Sequence, residues 1–378
     1  MIPVLNSAAA NEQLSGIREF TYLVRATPGA IGFTLGEPDL NTPEPIKEAA
    51  KAALDANDTH YPPGNGYPAT LEAISDYEKR RHGLCYSPEE IILTDGATEG
   101  LFVSFATVLN PGDEVIIPTP AFGLYESIVR LFRGVPVALP TEHDRFQIDP
   151  EALKRAVTAK TKAVILTSPN NPTGCIYTKQ TLDAVHDVLK DLPVYVLCDD
   201  VYRELVYSGE YHSFSEYQDM RERIIIVQSF SKPYAMTGWR LGYLMACAPL
   251  RERLQVFHQY CVTSAPSFLQ AACVKALDTD VAPVRALFKK RRDYVYDRLT
   301  RMGWQVQKPE GAFYLFIDIG RYGMGSRAFC EKLLAEAGVG MIPGVYFGTE
   351  GYMRMSYCYS DGELKEGLDR MERFIQTL

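Results

Sequence analysis

The chain has 378 residues, of which 46% are hydrophobic and 23% charged, a composition typical of a globular protein long enough for two domains. Its 47 acidic residues outnumber its 39 lysines and arginines, which gives a formal net charge of −8. A surface of this sign repels phosphate backbones and anionic lipids, so the composition argues against nucleic-acid and membrane partners.

Targeting segments and metal motifs have no clear sequence signal. The amino-terminal residues lack the basic start and unbroken apolar stretch of a signal peptide, and no window approaches the roughly 20 apolar residues of a membrane span. The eight cysteines form no Cys-x-x-Cys pair and lie mostly in apolar runs, as expected of free thiols in a reducing compartment. The histidines show no ligand spacing. We therefore expect a cytoplasmic protein without a metal site.

The first two thirds of the chain predict an α/β domain. Residues 1–45 contain no long strand, and we expect them to pack against a smaller domain. Short β-rich runs then alternate with helical stretches, and their central apolar runs are nearly continuous, as in strands covered by helices on both faces. We predict such strands at 89–94, 114–118, 135–139, 162–168, 194–200, 223–229 and 240–246. This alternation predicts a mainly parallel sheet within a large domain, residues 46–282.

The pattern changes after residue 282. A long helical run, "VRALFKKRRDYVYDRLTRMG", is followed by "FYLFIDI", a helix from about residue 326, "VGMIP", "YMRMSY" and a terminal helix. This order predicts a smaller α+β domain over residues 283–378. The basic run at 289–292 lies among acidic residues, and we interpret it as a solvated helix face.

Polar or small residues follow several predicted strands, at the edge where open α/β sheets bind ligands. Asp199 follows five apolar residues, and a part-buried carboxylate of this kind needs a cationic partner. Lys232 is either an ordinary exposed loop lysine or, in a pocket, an amine nucleophile of lowered pKa. Ser229 and Asn171 also follow strands.

Two features suggest a phosphate site. Gly96, Ala97 and Thr98 open a helix after a strand, where free N–H groups and the helix dipole attract anions. Arg240 is expected to open a buried strand, an awkward place for a guanidinium unless it meets an anion such as phosphate. Each feature alone is a weak signal.

At these residues the sequence resembles the aspartate aminotransferase family, the class I and II aminotransferases among the fold type I pyridoxal-phosphate enzymes. The resemblance runs over nearly the whole chain, through "LGEPDLNTP", "THYPPGNGYP", "TDGATEGL", "SPNNPTG", "CDDVY", "SFSKPYAMTGWRLGY", "PEGAFYLF" and "YMRMSY". It implies a large domain whose mainly parallel sheet is sandwiched by helices, a smaller α+β domain, and the cofactor pyridoxal 5'-phosphate.

Carried over residue by residue, the resemblance implies that Lys232 holds the cofactor as a Schiff base and later shuttles protons. Asp199 would pair with the ring nitrogen, Tyr202 and Asn171 would hydrogen-bond the phenolic oxygen, and Phe122 would stack on the ring. The residues implied to hold the phosphate are Ala97, Thr98, Ser229 and Arg240.

The resemblance also implies a substrate site and a homodimer. Arg354 would bind the substrate α-carboxylate, helped by Asn171 and the Gly36 backbone, and Tyr61 would reach the phosphate of the neighbouring subunit. The family's usual glutamate after the ring-nitrogen carboxylate is Asp200 here. We found no sequence counterpart of the second arginine that makes some relatives specific for dicarboxylates.

Two other activities were weighed against amino transfer. The segments "SGIREF" and "AMTGWR" favour an aspartate or aromatic donor, with a 2-oxo acid such as 2-oxoglutarate as acceptor. A cystathionine-type β-lyase shares the cofactor machinery and stays open as an alternative. Cofactor-sensing regulators of this fold carry an additional DNA-binding domain, for which about 45 preceding residues leave little room.

Overall fold

The computed structural model describes residues 5–378. The helices are α1 (Ser7–Asn11), α2 (Gly16–Ala26), α3 (Glu44–Asp55), α4 (Pro68–His82), α5 (Gly96–Val108), α6 (Leu124–Leu131), α7 (Pro150–Ala156), α8 (Lys179–Leu189), α9 (Ala248–Cys261), α10 (Ser267–Leu277), α11 (Ala282–Arg301), α12 (Ser326–Ala337) and α13 (Asp361–Ile375). The strands are β1 (Ile31–Gly32), β2 (Ile91–Thr94), β3 (Glu114–Thr119), β4 (Val135–Pro140), β5 (Thr161–Thr167), β6 (Tyr195–Asp199), β7 (Ile224–Ser229), β8 (Gly242–Met245), β9 (Gln305–Val306), β10 (Tyr314–Asp318), β11 (Val339–Gly340), β12 (Ile342–Pro343) and β13 (Tyr352–Ser356). Across residues 5–378, every helix is too short or too polar to cross a membrane.

A seven-stranded sheet forms the centre of the fold, in the order β2-β8-β7-β6-β5-β3-β4. Six of its strands run in the same direction, and β8 runs opposite to them. Alternate residues of β7 enter different cores: Ile224 and Ile226 pack on one face, Ile225 and Val227 on the other. Because both faces are buried, the strand is apolar throughout. The predicted α/β fold with a mainly parallel sheet is confirmed.

A second sheet, in the order β12-β13-β10-β9, is antiparallel and belongs to a separate core with α11, α12 and α13. The amino-terminal segment contacts this part of the molecule, because β1 pairs in parallel with β11 and α2 contributes Ile17, Phe20 and Val24 to the same core. The exact domain limits, 45/46 and 282/283, stay a prediction.

Two sequence expectations were wrong in detail. Strand β8 begins at Gly242 rather than at residue 240, because Arg240 has a left-handed backbone with φ of 55° and cannot continue a strand. The basic run on α11 is not fully solvated. Arg291 is buried and donates to Asp39 and Asp361, two carboxylates distant in sequence that a helical pattern does not reveal.

Candidate active site

One cavity of about 490 Å³ lies at the carboxyl edge of the large sheet and extends to the small domain and α2. Eleven of the twelve site residues expected from the sequence line it. They are Gly36, Ala97, Thr98, Phe122, Asn171, Asp199, Tyr202, Ser229, Lys232, Arg240 and Arg354. The twelfth, Tyr61, has a side chain that is 90% exposed and lines a separate surface depression.

The sheet topology explains why these residues meet. Asp199 ends β6 and lies in register with Thr167 at the end of β5, and Lys232 follows β7 by three residues. Because β8 runs the opposite way, its first residues lie at the same edge as the last residues of β6 and β7. Arg240, two residues before β8, is thereby brought to the cavity that holds Lys232.

Asp199 is a buried carboxylate, only 4% exposed. The Tyr125 hydroxyl donates to its Oδ2 atom at 2.5 Å, and the backbone N–H of Val201 points at its Oδ1 atom at 3.5 Å. Burial raises the pKa of Asp199 to about 6, although the hydrogen bond from Tyr125 opposes this rise. A positive charge facing the carboxylate would therefore be strongly stabilising.

Tyr125, which was not predicted from the sequence, comes from α6 and also meets the Thr167 hydroxyl at 2.9 Å. Nothing in the pattern of α6 distinguishes this tyrosine from a core residue. Its role follows only from the packing of α6 over the end of β6.

Lys232 is a partly buried amine. Its Nζ atom donates to the Gly36 carbonyl at 2.7 Å. Burial lowers the pKa of Lys232 to about 8, and the positive charges of Arg354 and Arg240 act in the same direction. A lysine with this pKa is uncharged in an appreciable fraction near neutral pH, which makes it available as a nucleophile or base.

An anion cradle lies where α5 begins. Asp95 precedes this helix but makes no side-chain hydrogen bond to its first turn, so the N–H groups there are not capped by that side chain. Gly96 has a φ of 74°, and a Cβ atom added there would lie 2.6 Å from Nη2 of Arg240. The guanidinium is thus packed directly against the helix start. The backbone N–H groups of the first turn of α5, the Arg240 guanidinium and the Ser229 hydroxyl are together suited to bind a phosphate group.

Arg354 forms a second anion-binding group. Only 2% exposed, it lies between the rings of Tyr314 and Phe347, at 4.5 and 4.8 Å from their centres. Its Nη1 atom donates to Asn171 Oδ1 at 2.8 Å and its Nη2 atom to the Thr34 carbonyl at 2.5 Å. Among residues 5–378 no carboxylate pairs with it and its Nε atom has no partner. A rigidly held, uncompensated guanidinium of this kind is suited to a carboxylate ligand.

Other residues that were not predicted from the sequence also line the cavity. The hydroxyls of Tyr202 and Tyr314 lie 2.9 Å apart, and Tyr314 was not singled out in the sequence. Arg18 and Arg25, both from α2, were also missed, since α2 has the pattern of an ordinary amphipathic helix. In the described part of the chain, no three His, Cys, Asp or Glu side chains are grouped to hold a metal ion.

Comparisons with known proteins agree with this geometry. Residues 28–371 match the family described as aminotransferase class I and II. The chain is 41% identical to a Bacillus subtilis protein named probable N-acetyl-LL-diaminopimelate aminotransferase, over 98% of this chain and 96% of that protein. It is 39% identical to an aspartate aminotransferase of Pyrococcus abyssi, over 96% of each chain.

Solved structures give the same result. An aspartate aminotransferase of Thermus thermophilus with maleate superposes with a TM-score of 0.93 at 33% identity, over 98% of this chain and 100% of that one. An aromatic aminotransferase of Pyrococcus horikoshii superposes with a TM-score of 0.90 at 39% identity, over 96% and 99% of the two chains. The chain therefore belongs to the class I and II aminotransferases, and it is an enzyme of the transferase class.

Proposed function

We propose that this enzyme moves an amino group between an L-amino acid and a 2-oxo acid, with pyridoxal 5'-phosphate as its cofactor. The observation that carries the proposal is the content of one cavity. It combines an amine of lowered pKa, a buried carboxylate that forms no ion pair among residues 5–378, and two separate anion-binding groups. A phosphorylated pyridine aldehyde and an amino acid together present the matching partners for all four.

The cofactor fits the residues present. Arg240, Ser229 and the first turn of α5, with Ala97 and Thr98, would hold the phosphate, since their donors lie beside the positive end of the helix. When bound, the cofactor supplies a protonated aromatic ring that stabilises negative charge at the substrate α-carbon. Phe122 lines the same cavity and would pack against the ring.

Asp199 would keep a proton on the ring nitrogen. The buried carboxylate is costly to ionise alone, but a pyridinium cation beside it removes that cost and is itself stabilised. Tyr125 fixes the carboxylate through its hydrogen bond to Oδ2. Tyr202 and Asn171, which line the same wall, would hydrogen-bond the phenolic oxygen of the ring.

Lys232 would attach to the cofactor through its amine and, once released, carry a proton to and from the substrate α-carbon. Its lowered pKa allows it to accept a proton near neutral pH and to return it. The hydrogen bond to the Gly36 carbonyl holds the amine within the cavity.

Arg354 would bind the α-carboxylate of the substrate. Amino acids and 2-oxo acids share this group, so one pocket can accept the donor and the acceptor in turn. Asn171 and the Thr34 carbonyl orient the guanidinium, and the two flanking rings prevent it from swinging away. Asn171 and the Gly36 backbone lie close enough to assist in the same pocket.

The proposed donors are aspartate or aromatic amino acids, and the proposed acceptor is a 2-oxo acid such as 2-oxoglutarate. The relatives and structures reported above are named as aminotransferases acting in aspartate, aromatic or diaminopimelate chemistry. None of those names favours the β-lyase alternative.

A homodimer with shared sites is also proposed. Val256, Phe257 and Tyr260 expose an apolar stripe along α9, and Tyr260 is 84% exposed. Tyr61 is similarly exposed, and it lines a depression with Pro62, Val262 and residues 264–268, which run from the end of α9 into the first turn of α10. Contiguous exposed apolar surface of this kind is typical of a protein interface. Across such an interface Tyr61 would serve the phosphate of the neighbouring subunit.

Steady-state kinetics with a donor and 2-oxoglutarate test the proposal. Because donor and acceptor would use Arg354 alternately, double-reciprocal plots at several acceptor concentrations should give parallel lines. Arg354→Lys should raise the KM values of both substrates, since an ammonium cannot reproduce a planar two-point contact. Release of ammonia, a thiol and pyruvate from a cysteine conjugate, with no need for an oxo acid, would instead establish a lyase.

A further inference from the structure

Helix α2 places two cationic side chains at the mouth of the cavity. Arg18 and Arg25 lie two turns apart on the same face, together with Tyr22, and all three line the cavity. Within residues 5–378 neither arginine has a carboxylate within ion-pair distance or a side-chain hydrogen bond. Glu19 on the same helix pairs with Arg327 instead.

The rest of α2 holds these arginines in place. Phe20 and Val24 are buried on the side of the helix away from the cavity, and Ile17 is buried at the cavity edge, all three in the core of the small domain. The helix is therefore anchored along its length, and its cavity-facing side chains extend from a fixed backbone.

The charges that line the cavity are unbalanced. Of the residues that the structure describes, five cationic side chains line the cavity but only two carboxylates, Glu37 and Asp199, although the chain as a whole carries a charge of −8. Glu37 accepts a hydrogen bond from the Thr237 hydroxyl at 2.5 Å. In the proposed function Arg240 meets a phosphate, Arg354 meets the α-carboxylate, and Lys232 is the reacting amine. Arg18 and Arg25 are left without an assigned anion.

We propose that Arg18 and Arg25 bind a negatively charged group at the far end of the substrate side chain, and so select dicarboxylic amino acids and oxo acids over neutral ones. The inference rests on the proposed function, because it assumes that Arg354 takes the α-carboxylate. Two guanidinium groups at the mouth supply several donors with the planar geometry that a carboxylate prefers. They would also raise the local concentration of anionic substrates around an otherwise acidic protein.

Binding of matched non-reactive acids to the cofactor-loaded enzyme tests the inference. Glutarate and pentanoate have the same chain length and differ in the second carboxylate. Calorimetry on the wild type should show glutarate binding about tenfold more tightly, the scale of one charge-assisted contact. The double variant Arg18→Gln/Arg25→Gln should lose most of this preference and leave pentanoate binding unchanged.

The control removes the same amount of charge elsewhere. Arg301 and Arg373 are exposed, lie on α11 and α13, and do not line the cavity. The double variant Arg301→Gln/Arg373→Gln should keep the full preference for glutarate. If it loses the preference equally, the effect is one of net charge and the inference is wrong.

Activity separates failure of the inference from failure of the proposed function. The α2 double variant should lose about tenfold in kcat/KM for aspartate or glutamate relative to phenylalanine, assayed with pyruvate as the neutral acceptor. Amino transfer by a wild type that treats the two donor classes alike would overturn the inference and leave the proposed function standing. A wild type that transfers no amino group from either class would overturn the proposed function itself.

Discussion

At the residue scale, the buried carboxylate of Asp199 is expected to serve the proposed function and to lower the stability of the cofactor-free protein. In the cofactor-free protein its carboxylate is buried and has no ion-pair partner in the described part of the chain, and burial raises its pKa from an ordinary 3.8 to about 6. The folded state therefore binds a proton that the unfolded state has released between these two values. The resulting cost to stability is absent below about pH 4 and complete above about pH 6.

We expect Asp199→Asn to stabilise the cofactor-free protein at pH 7.5 by about 2 to 3 kcal/mol, because roughly two pKa units separate the folded and unfolded carboxylate. The gain should shrink towards zero near pH 4, where the wild-type carboxyl is protonated. Urea unfolding of the variant and the wild type at both pH values measures this difference in the free energy of unfolding. The rate of amino transfer should fall sharply in the same variant.

Asp278→Asn is the matched control, because Asp278 is exposed at the end of α10. This surface change should alter stability by less than about 0.5 kcal/mol at either pH. Equal stability of the Asp199→Asn variant and the wild type at pH 7.5 would contradict the burial cost.

At the scale of single elements, the turn between β2 and α5 determines the anion cradle. Gly96→Ala introduces a side chain where φ is 74° and where the new Cβ would lie 2.6 Å from the Arg240 guanidinium. We expect the variant to displace Arg240 and to weaken binding of pyridoxal 5'-phosphate by at least about tenfold, because strain and a lost charged contact act together. Fluorescence titration of the cofactor-free protein measures this affinity.

Gly238→Ala is the control for this turn. Gly238 lies two residues before Arg240, has an ordinary backbone conformation, and would place a new Cβ in open space. Its affinity for the cofactor should match that of the wild type. Unchanged affinity in Gly96→Ala would show that the cradle does not depend on close approach of Arg240.

The central strands could be predicted because strands buried on both faces need continuous apolar runs, as in β7. The same rule misplaced Arg240, since the apolar residues after it extend the pattern of β8 towards it. The left-handed backbone that ends this extension depends on local packing, which a hydropathy pattern does not record.

The site residues that lie in short sequence motifs could be predicted. Those that reach the cavity through packing between distant segments could not. Asp199, Lys232 and Arg354 lie within such motifs. Arg18 and Tyr125 do not, because they reach the cavity only through the docking of α2 on the small domain and of α6 on the large sheet. Their helices show only which face is apolar.

At the scale of the whole molecule, the proposed homodimer makes a test between chains possible. A Tyr61→Ala chain keeps Lys232 but cannot serve its neighbour, and a Lys232→Ala chain keeps Tyr61 but has no amine. Mixing the two under conditions that exchange subunits should form hybrid dimers with one intact site, and activity should rise well above that of either variant.

The exposed apolar residues of α9 allow the proposed dimer itself to be tested. Light scattering should give twice the chain mass of 42.3 kDa, and charge introduced by Phe257→Glu should shift the protein towards the monomer. A fully active wild-type monomer, or no recovery of activity in confirmed hybrids, would contradict the shared site.

The central claim is that Lys232 is the amine to which the cofactor attaches, and borohydride reduction tests it most directly. The holoenzyme is reduced, digested and mapped by mass spectrometry, with Lys275 and the other lysines as internal comparison. We predict that the mass of reduced pyridoxal phosphate appears on the peptide containing Lys232 at close to one per chain. Labelling of a different lysine, or of none, would contradict the account.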